Sequence, residues 1–118
     1  MKKKSIERYK RGWIIQKDYS RMKEKAFENK IKAYLKQQGA WHVKYFANGY
    51  TRSGIPDLIC CVNGKFLAIE VKAEHGRVSE LQKYQIEQIK KSGGRALIVY
   101  PKDFDEFKKI VEELKNEN

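Results

Sequence analysis

The sequence predicts one α/β domain built around a mixed central sheet. The chain has 118 residues, a length that suits a single compact domain. Helix-type and strand-type spacings of apolar residues follow one another in the order helix, three strands, helix, strand, helix. Between the second and third strands lies Asn63-Gly64, the strongest short signal for a hairpin turn. We therefore expect an antiparallel meander of three strands, followed by one helical crossover to a fourth strand.

The first helix is expected from about Arg21 to Gln38, where apolar residues recur at helical spacing and Gly39 provides a stop. A strand should follow at residues 41–45, because apolar and polar side chains alternate there. Residues 48–56 contain two glycines and a proline, which predicts a loop. The apolar face of the first helix consists of Phe27, Ile31, Tyr34 and Leu35.

The remaining elements are predicted by the same kinds of signal. Two apolar segments, residues 57–62 and 65–72, flank the Asn-Gly turn and form the hairpin. A second helix should open at Ser79, and an aliphatic strand at residues 95–100 should follow it. The last helix is expected to begin at Asp103, because apolar residues after it share one helical face.

Charge is abundant and unevenly distributed. The chain has 26 basic and 15 acidic residues and a net charge of +11, and such a field attracts polyanions. Residues 1–25 carry ten of the basic residues and three of the acidic ones. Since the first 20 residues show no clear period, we interpret residues 1–20 as a basic N-terminal arm and residues 21–118 as the folded domain. The alternative is a solvated, lysine-rich surface without a specific partner.

Several classes of protein are not supported. No segment approaches the roughly 20 apolar residues that span a bilayer, and no apolar stretch follows the basic N-terminus as in a signal peptide. We therefore expect a cytoplasmic protein that has no membrane partner. Cys60 and Cys61 are neighbours in a predicted strand and point to opposite faces, so we expect reduced packing residues rather than a disulfide. The spacing of His42 and His75 does not suggest a zinc site.

The hairpin register places two carboxylates opposite each other. A two-residue turn pairs Val62 with Lys65, and each step back along one strand matches one step forward along the other. Asp57 and Glu70 are then directly opposed, with their Cβ atoms about 4.5–5.5 Å apart on one face of the sheet. Lys72 shares that face, because it lies two residues beyond Glu70.

Two opposed carboxylates repel each other unless something compensates their charge. A divalent cation that prefers oxygen ligands is one candidate, and Lys72 adds an ammonium group that can assist phosphodiester cleavage. The alternative is a structural ion-pair cluster in which Lys72 neutralises Glu70. Against that alternative, Glu70 interrupts an apolar strand where valine would pack better.

At these residues the sequence resembles a known family. Ile55-Pro56-Asp57, twelve intervening residues and Glu70-Val71-Lys72 resemble the motif of PD-(D/E)XK nucleases. The segments Gly54–Leu58, Ala68–Lys72 and Arg77–Lys83 are similar to the VRR-NUC branch, which occurs in phage proteins and DNA-repair nucleases. The sequence also resembles archaeal Holliday-junction resolvases. The likeness covers roughly residues 24–100 and implies a single restriction-endonuclease-like domain.

The resemblance implies roles for particular residues. Asp57, Glu70 and the carbonyl of Val71 would hold Mg²⁺ or Mn²⁺, and Lys72 would be the catalytic lysine. Glu28 would complete the acidic site, and its alternative role is an i,i+4 partner of Lys32 on a solvated helix face. Gln82 would correspond to a glutamine that the family carries near the catalytic lysine. The sequence alone explains Gln82 equally well as the second member of a capping box with Ser79.

Other residues are weaker candidates for contacts with nucleic acid. Lys44 and Arg52 flank the loop before Asp57 and could bind phosphate. The loop at residues 75–77 lies close to Lys72 and could do the same. The aromatic residues of this region could stack on bases, although Tyr45 could instead belong to the core; they are Tyr45, Phe46 and Tyr50.

The leading hypothesis is a metal-dependent DNA endonuclease that hydrolyses phosphodiester bonds. The phosphate backbone would supply affinity, and the resemblance implies selectivity for branched, flap or junction DNA. A homodimer would suit a cut in two strands. Two alternatives remain: a non-catalytic nucleic-acid-binding protein on the same fold, and a basic structural protein that binds RNA and needs no divalent metal.

Overall fold

A computed structural model of the protein describes residues 13–118, with side chains from residue 23 onward. Within this range the elements follow the predicted order, with one added turn of 3₁₀ helix at Pro101–Asp103. The predicted α/β class with a mixed sheet is therefore confirmed. The helices and strands are α1 (Trp13–Gln37), β1 (Trp41–Lys44), β2 (Leu58–Val62), β3 (Lys65–Val71), α2 (Glu80–Lys91), β4 (Arg95–Val99) and α3 (Phe104–Asn116).

The four strands lie in the order β1-β2-β3-β4. The first three form the antiparallel meander, and β3 pairs with β4 in parallel after the crossover through α2. Val62 pairs with Lys65 across the turn, as predicted. Asn63 and Gly64 both have positive φ angles, 52° and 76°, which is the backbone of a type I′ turn. The local turn chemistry thus fixes the register of the whole hairpin.

One face of the sheet is covered by α1 and α3 and contains the main core. Aliphatic residues from β2 and β3 lie there against the predicted apolar face of α1 and against Phe107 of α3. The other face is covered by α2, whose Ile86 packs against Ala68 and Ala96. Because α2 lies over β3 and β4, the β1 half of this face is less protected. Trp41 is 60% exposed and Val43 is 43% exposed.

The two cysteines illustrate this difference between the faces. Both are free thiols, as expected, with Cys60 buried in the main core and Cys61 exposed on the opposite face. The expectation that both are packing residues is therefore wrong for Cys61. Burial raises the pKa of the Cys60 thiol to about 12.

The first helix is longer than predicted. It begins at Trp13 rather than near Arg21, so residues 13–20 of the predicted arm are helical. The apolar period marks only the packed part of a helix, and an already nucleated helix extends into a polar segment at little cost. The rest of the predicted arm, residues 1–12, lies outside the described residues. In the described range, no helix is both long enough and apolar enough to cross a membrane.

Candidate active site

The strand ends place Asp57 and Glu70 side by side, at one end of the hairpin. Leu58 pairs with Ile69, so Asp57 and Glu70 follow one position beyond the last pair of that ladder. The carboxylate of Asp57 accepts a hydrogen bond from the Val71 amide, with 2.8 Å between Oδ2 and N. The backbone carbonyl of Asp57 accepts another from the Tyr45 amide at 2.8 Å. Asp57 is thereby fixed between β1 and β3.

Glu70, Lys72 and Gln82 form a compact polar triangle. Lys72 Nζ lies 3.2 Å from Glu70 Oε2 and donates a hydrogen bond to Gln82 Oε1 at 2.9 Å. Gln82 Nε2 in turn donates to Glu70 Oε2 at 2.9 Å. Glu70 and Lys72 are both buried, so their charges are held in a fixed geometry with little competition from water.

Gln82 makes the capping contacts that its sequence context predicts and also contacts the two charged residues. Ser79 Oγ accepts a hydrogen bond from the Gln82 amide, and Gln82 Oε1 accepts one from the Ser79 amide, so the capping box is present. The carboxamide of Gln82 also contacts both Glu70 and Lys72. The N-terminus of α2 is therefore joined directly to the two charged residues of β3 and its extension.

The loop before Asp57 packs tightly against this same helix end. Gly54 has a φ angle of 81°, and a Cβ atom there would lie 2.5 Å from both atoms of the Leu81 backbone carbonyl. Only glycine combines this conformation with this approach. The loop, the start of α2 and Gln82 thus form one unit.

Glu28 reaches the site through Lys44 rather than directly. It is 4% exposed, and its Oε1 accepts a hydrogen bond from Lys44 Nζ at 2.6 Å. Lys44 Nζ also lies 3.3 Å from Asp57 Oδ1. The i,i+4 ion pair with Lys32 is present as well, at 3.1 Å to Oε2, although it is not aligned for a hydrogen bond. Burial would raise the pKa of Glu28, but Lys44 and Lys32 outweigh it and hold that pKa below its ordinary value.

Sequence reasoning missed one acid and the bridging role of Lys44. Glu24 lies one helical turn before Glu28 on α1, and burial together with the charge of Asp57 raises its pKa. The available signal was the i,i+4 spacing of Glu24 and Glu28, which places both on one side of a helix. The sequence suggests Lys44 only as a phosphate contact. Its two acidic partners depend on how α1 packs against β1, which no local pattern specifies.

The electrostatics of the site favour a cation. Burial and the neighbouring charges of Asp57 and Glu24 raise the pKa of Glu70 to about 7, and Lys72 offsets only part of this effect. Such a shift means that the surroundings of Glu70 disfavour its charged form, chiefly through burial and next through the charge of Asp57. A cation near Asp57 and Glu70 would offset this effect.

The donor set fits Mg²⁺ or Mn²⁺ better than a metal held entirely by side chains. Among the described residues, no three His, Cys, Asp or Glu side chains are arranged around one position as metal ligands. A magnesium ion keeps several waters and is commonly held by one or two carboxylates together with a substrate phosphate. The pair Asp57 and Glu70 meets that requirement.

Comparison with known proteins identifies the domain family of the chain. The family model of the VRR-NUC domain matches residues 4–103, which includes every strand of the sheet and all the site residues named above. No curated protein matches the sequence. The family is one of nuclease domains, so the fold is that of a nuclease-like, DNA-processing protein. The match covers well over half of the sequence, and the chain is therefore a member of the VRR-NUC domain family.

Proposed function

We propose that the protein is a Mg²⁺- or Mn²⁺-dependent DNA endonuclease that hydrolyses phosphodiester bonds, with selectivity for branched, flap or junction DNA. The observation that carries the proposal is the cluster of Asp57, Glu70, Lys72 and Gln82 at one end of the hairpin. A buried carboxylate, Glu70, beside the half-buried Asp57 and a buried ammonium is costly for stability alone, whereas the group suits the cleavage of a polyanion.

Each residue then has a distinct task. Asp57, Glu70 and the Val71 carbonyl hold the ion, which when bound supplies positive charge to polarise the phosphate. Lys72 lies beside Glu70 and can donate to the phosphate or orient the attacking water. Gln82 holds the Lys72 ammonium and the Glu70 carboxylate at a fixed separation, since it bonds to both.

Exposed residues next to the site support contact with DNA that contains unpaired bases. Phe46 is 75% exposed and Tyr50 is fully exposed, and both lie in the loop between β1 and Asp57. Flat aromatic side chains stack on unpaired bases, and the positive charge of the protein favours the phosphate backbone. Arg52, also exposed, lies in the same loop and can contact phosphate.

The direct test is cleavage of a labelled panel of single-stranded, duplex, flap and four-way-junction DNA in Mg²⁺, Mn²⁺ or EDTA. We expect cleavage with either metal and none in EDTA. Lys72→Ala should lower cleavage at least about 100-fold while DNA binding changes little, since one of 26 basic residues is lost. Lys90→Ala, at the exposed far end of α2, is the matched control and should cut normally. Cleavage by Lys72→Ala at the wild-type rate would place the catalytic centre elsewhere.

The second candidate function is a nucleic-acid-binding protein without catalysis. The observation in its favour is that Lys44 and Lys72 already neutralise part of the acidic charge without a metal. That account predicts tight DNA binding with no cleavage in any of the metals, and with no change on adding EDTA.

We also propose that two copies act together when two strands are cut, because one site hydrolyses one strand at a time. Sedimentation equilibrium with and without junction DNA tests this proposal. A protein that remains monomeric on a substrate cut in both strands would contradict it.

A further inference from the structure

Lys44 occupies a cation position inside the acidic cluster. It is the last residue of β1 and pairs with Leu58, the residue that follows Asp57. Its side chain is 21% exposed, and its Nζ lies 2.6 Å from Glu28 Oε1 and 3.3 Å from Asp57 Oδ1. The Lys44 ammonium therefore connects Glu28 of α1 to Asp57, which precedes β2.

Positive charge is concentrated on the Glu28 side of this bridge. Besides Lys44, Glu28 has Lys32 at 3.1 Å and Lys25 at 3.8 Å, so three ammonium groups surround one carboxylate. A carboxylate with that many basic partners has little left to offer a divalent cation.

Negative charge remains in excess on the other side of Asp57. Glu70 has the ammonium of Lys72 at 3.2 Å, against the three ammonium groups around Glu28. Glu24 adds a further carboxylate whose charge acts on both Asp57 and Glu70. A divalent cation is thus attracted to the Glu70 side of Asp57 and repelled from the Glu28 side.

The contacts of the two carboxylate oxygens of Asp57 also limit how many metal ions the site can bind. Oδ1 contacts Lys44, and Oδ2 accepts the hydrogen bond from the Val71 amide. In sites with two metal ions the ions lie about 3.5–4 Å apart. A second ion between Glu28 and Asp57 would have to compete with the Lys44 ammonium for the same carboxylate oxygens.

We propose that Lys44 is a positioning residue whose ammonium takes the cation position between Glu28 and Asp57, so that the site binds a single divalent cation on the Glu70 side of Asp57. This inference rests on the proposed metal-dependent function and specifies it further. Lys44 would hold Asp57 in place and supply the positive charge that a second ion supplies in a two-metal site.

The test is the stoichiometry of Mn²⁺ binding to the full 118-residue protein, measured by calorimetry and by the loss of the free-Mn²⁺ electron paramagnetic resonance signal. We expect one ion per molecule for the wild type and for Lys44→Arg, which keeps the charge. Lys44→Met should bind a second ion, because it vacates the position between Glu28 and Asp57. Lys32→Met is the matched control: it removes a charge beside Glu28 but none at Asp57, and should keep one ion.

The possible results distinguish a failure of this inference from a failure of the proposed function. No Mn²⁺ binding by the wild type, either alone or with duplex DNA present, contradicts the metal-dependent nuclease itself. Two ions in the wild type, or one ion in Lys44→Met, overturn the role of Lys44 and leave the proposed function standing. If Lys44→Met does not fold, Lys44→Gln removes the same charge while keeping a hydrogen-bond donor, and provides the same comparison.

Discussion

At the scale of single residues, Glu70 stands out among the described residues as a buried carboxylate with two acidic neighbours. It is 3% exposed and shares its surroundings with Asp57 and Glu24, while Lys72 and Gln82 provide its favourable contacts. Burial of a carboxylate without full compensation destabilises the folded state. The metal-free protein therefore retains an electrostatic cost at the position where the proposed function needs affinity for a cation.

This cost predicts how Glu70→Gln affects stability at different pH values. Because the pKa of Glu70 is raised from 4.5 to about 7, the folded protein binds a proton more tightly than the unfolded protein does. The contribution of Glu70 to the free energy of unfolding therefore falls as the pH rises from 4.5 to about 7, and is constant above that. In EDTA at pH 8, Glu70→Gln should melt about 5 °C above wild type, and at pH 4 the two should melt together. A variant that melts below wild type at pH 8 would show that the ion pair with Lys72 dominates.

Some residues of the site could be predicted from the sequence, because their positions depend on local rules. The Asn-Gly turn sets the hairpin register, and the register places Asp57 next to Glu70. The contacts of Glu24 and Lys44 could not be predicted, because they arise from the packing of α1 against β1. That packing depends on tertiary contacts, which leave no local pattern in the sequence.

At the scale of elements, the N-terminus of α2 and the loop before Asp57 act as one unit. Gln82 joins this helix end to β3, and Gly54 allows the loop to approach it within contact distance. The capping box itself was visible in the sequence, since it needs only Ser79 and Gln82 at the right spacing. The close approach of Gly54 was not visible, because it joins residues far apart in the sequence.

The close approach of Gly54 to the backbone of Leu81 predicts that Gly54→Ala disrupts the site. An added Cβ would overlap the backbone of Leu81 and would also require a left-handed φ angle, which costs an alanine roughly 1–2 kcal/mol before any overlap. The melting temperature should fall by at least about 5 °C, and cleavage should fall because the loop and Gln82 separate. Gly49→Ala is the control, since nothing lies within 4 Å of its added Cβ and its φ angle is ordinary. Equal melting temperatures for the two variants would contradict the tight packing of Gly54 against Leu81.

Two other features could not be predicted from local sequence patterns. The predicted start of α1 was late, because the apolar period marks the packed face and not the full length of the helix. The sequence predicts Asn63 in the turn alone, yet its carboxamide also donates to backbone carbonyls at the end of α3, including that of Glu117 at 2.7 Å. Such a contact links residues 54 positions apart and depends on the completed fold.

At the scale of the whole molecule, the basic residues fall into two groups, those paired with acids of the site and those outside it. Some lysines are partners of buried acids, as Lys44 and Lys72 are, and these contribute little to the field around the protein. Basic residues outside the site act on a polyanion at longer range. Residues 1–12 carry six basic residues and one acidic residue, which is the densest positive segment of the sequence.

Removal of residues 1–12 should therefore weaken DNA binding and reduce its dependence on salt. The truncation keeps all of α1 from Trp13 onward, and a thermal melt checks that the variant is folded. Each phosphate neutralised by a basic residue contributes roughly 0.9 to the slope of log affinity against log salt, so the slope should decrease by more than about 1 and by at most about 5. Fluorescence anisotropy with labelled duplex DNA between 50 and 300 mM NaCl measures the slope, with Lys90→Ala, which removes one charge at the far end of α2, as the control. Catalysis at saturating substrate should change little, because the site residues of β3 and α2 are untouched. An unchanged slope would mean that this segment does not contact DNA, and that the remaining basic surface of the domain provides the affinity.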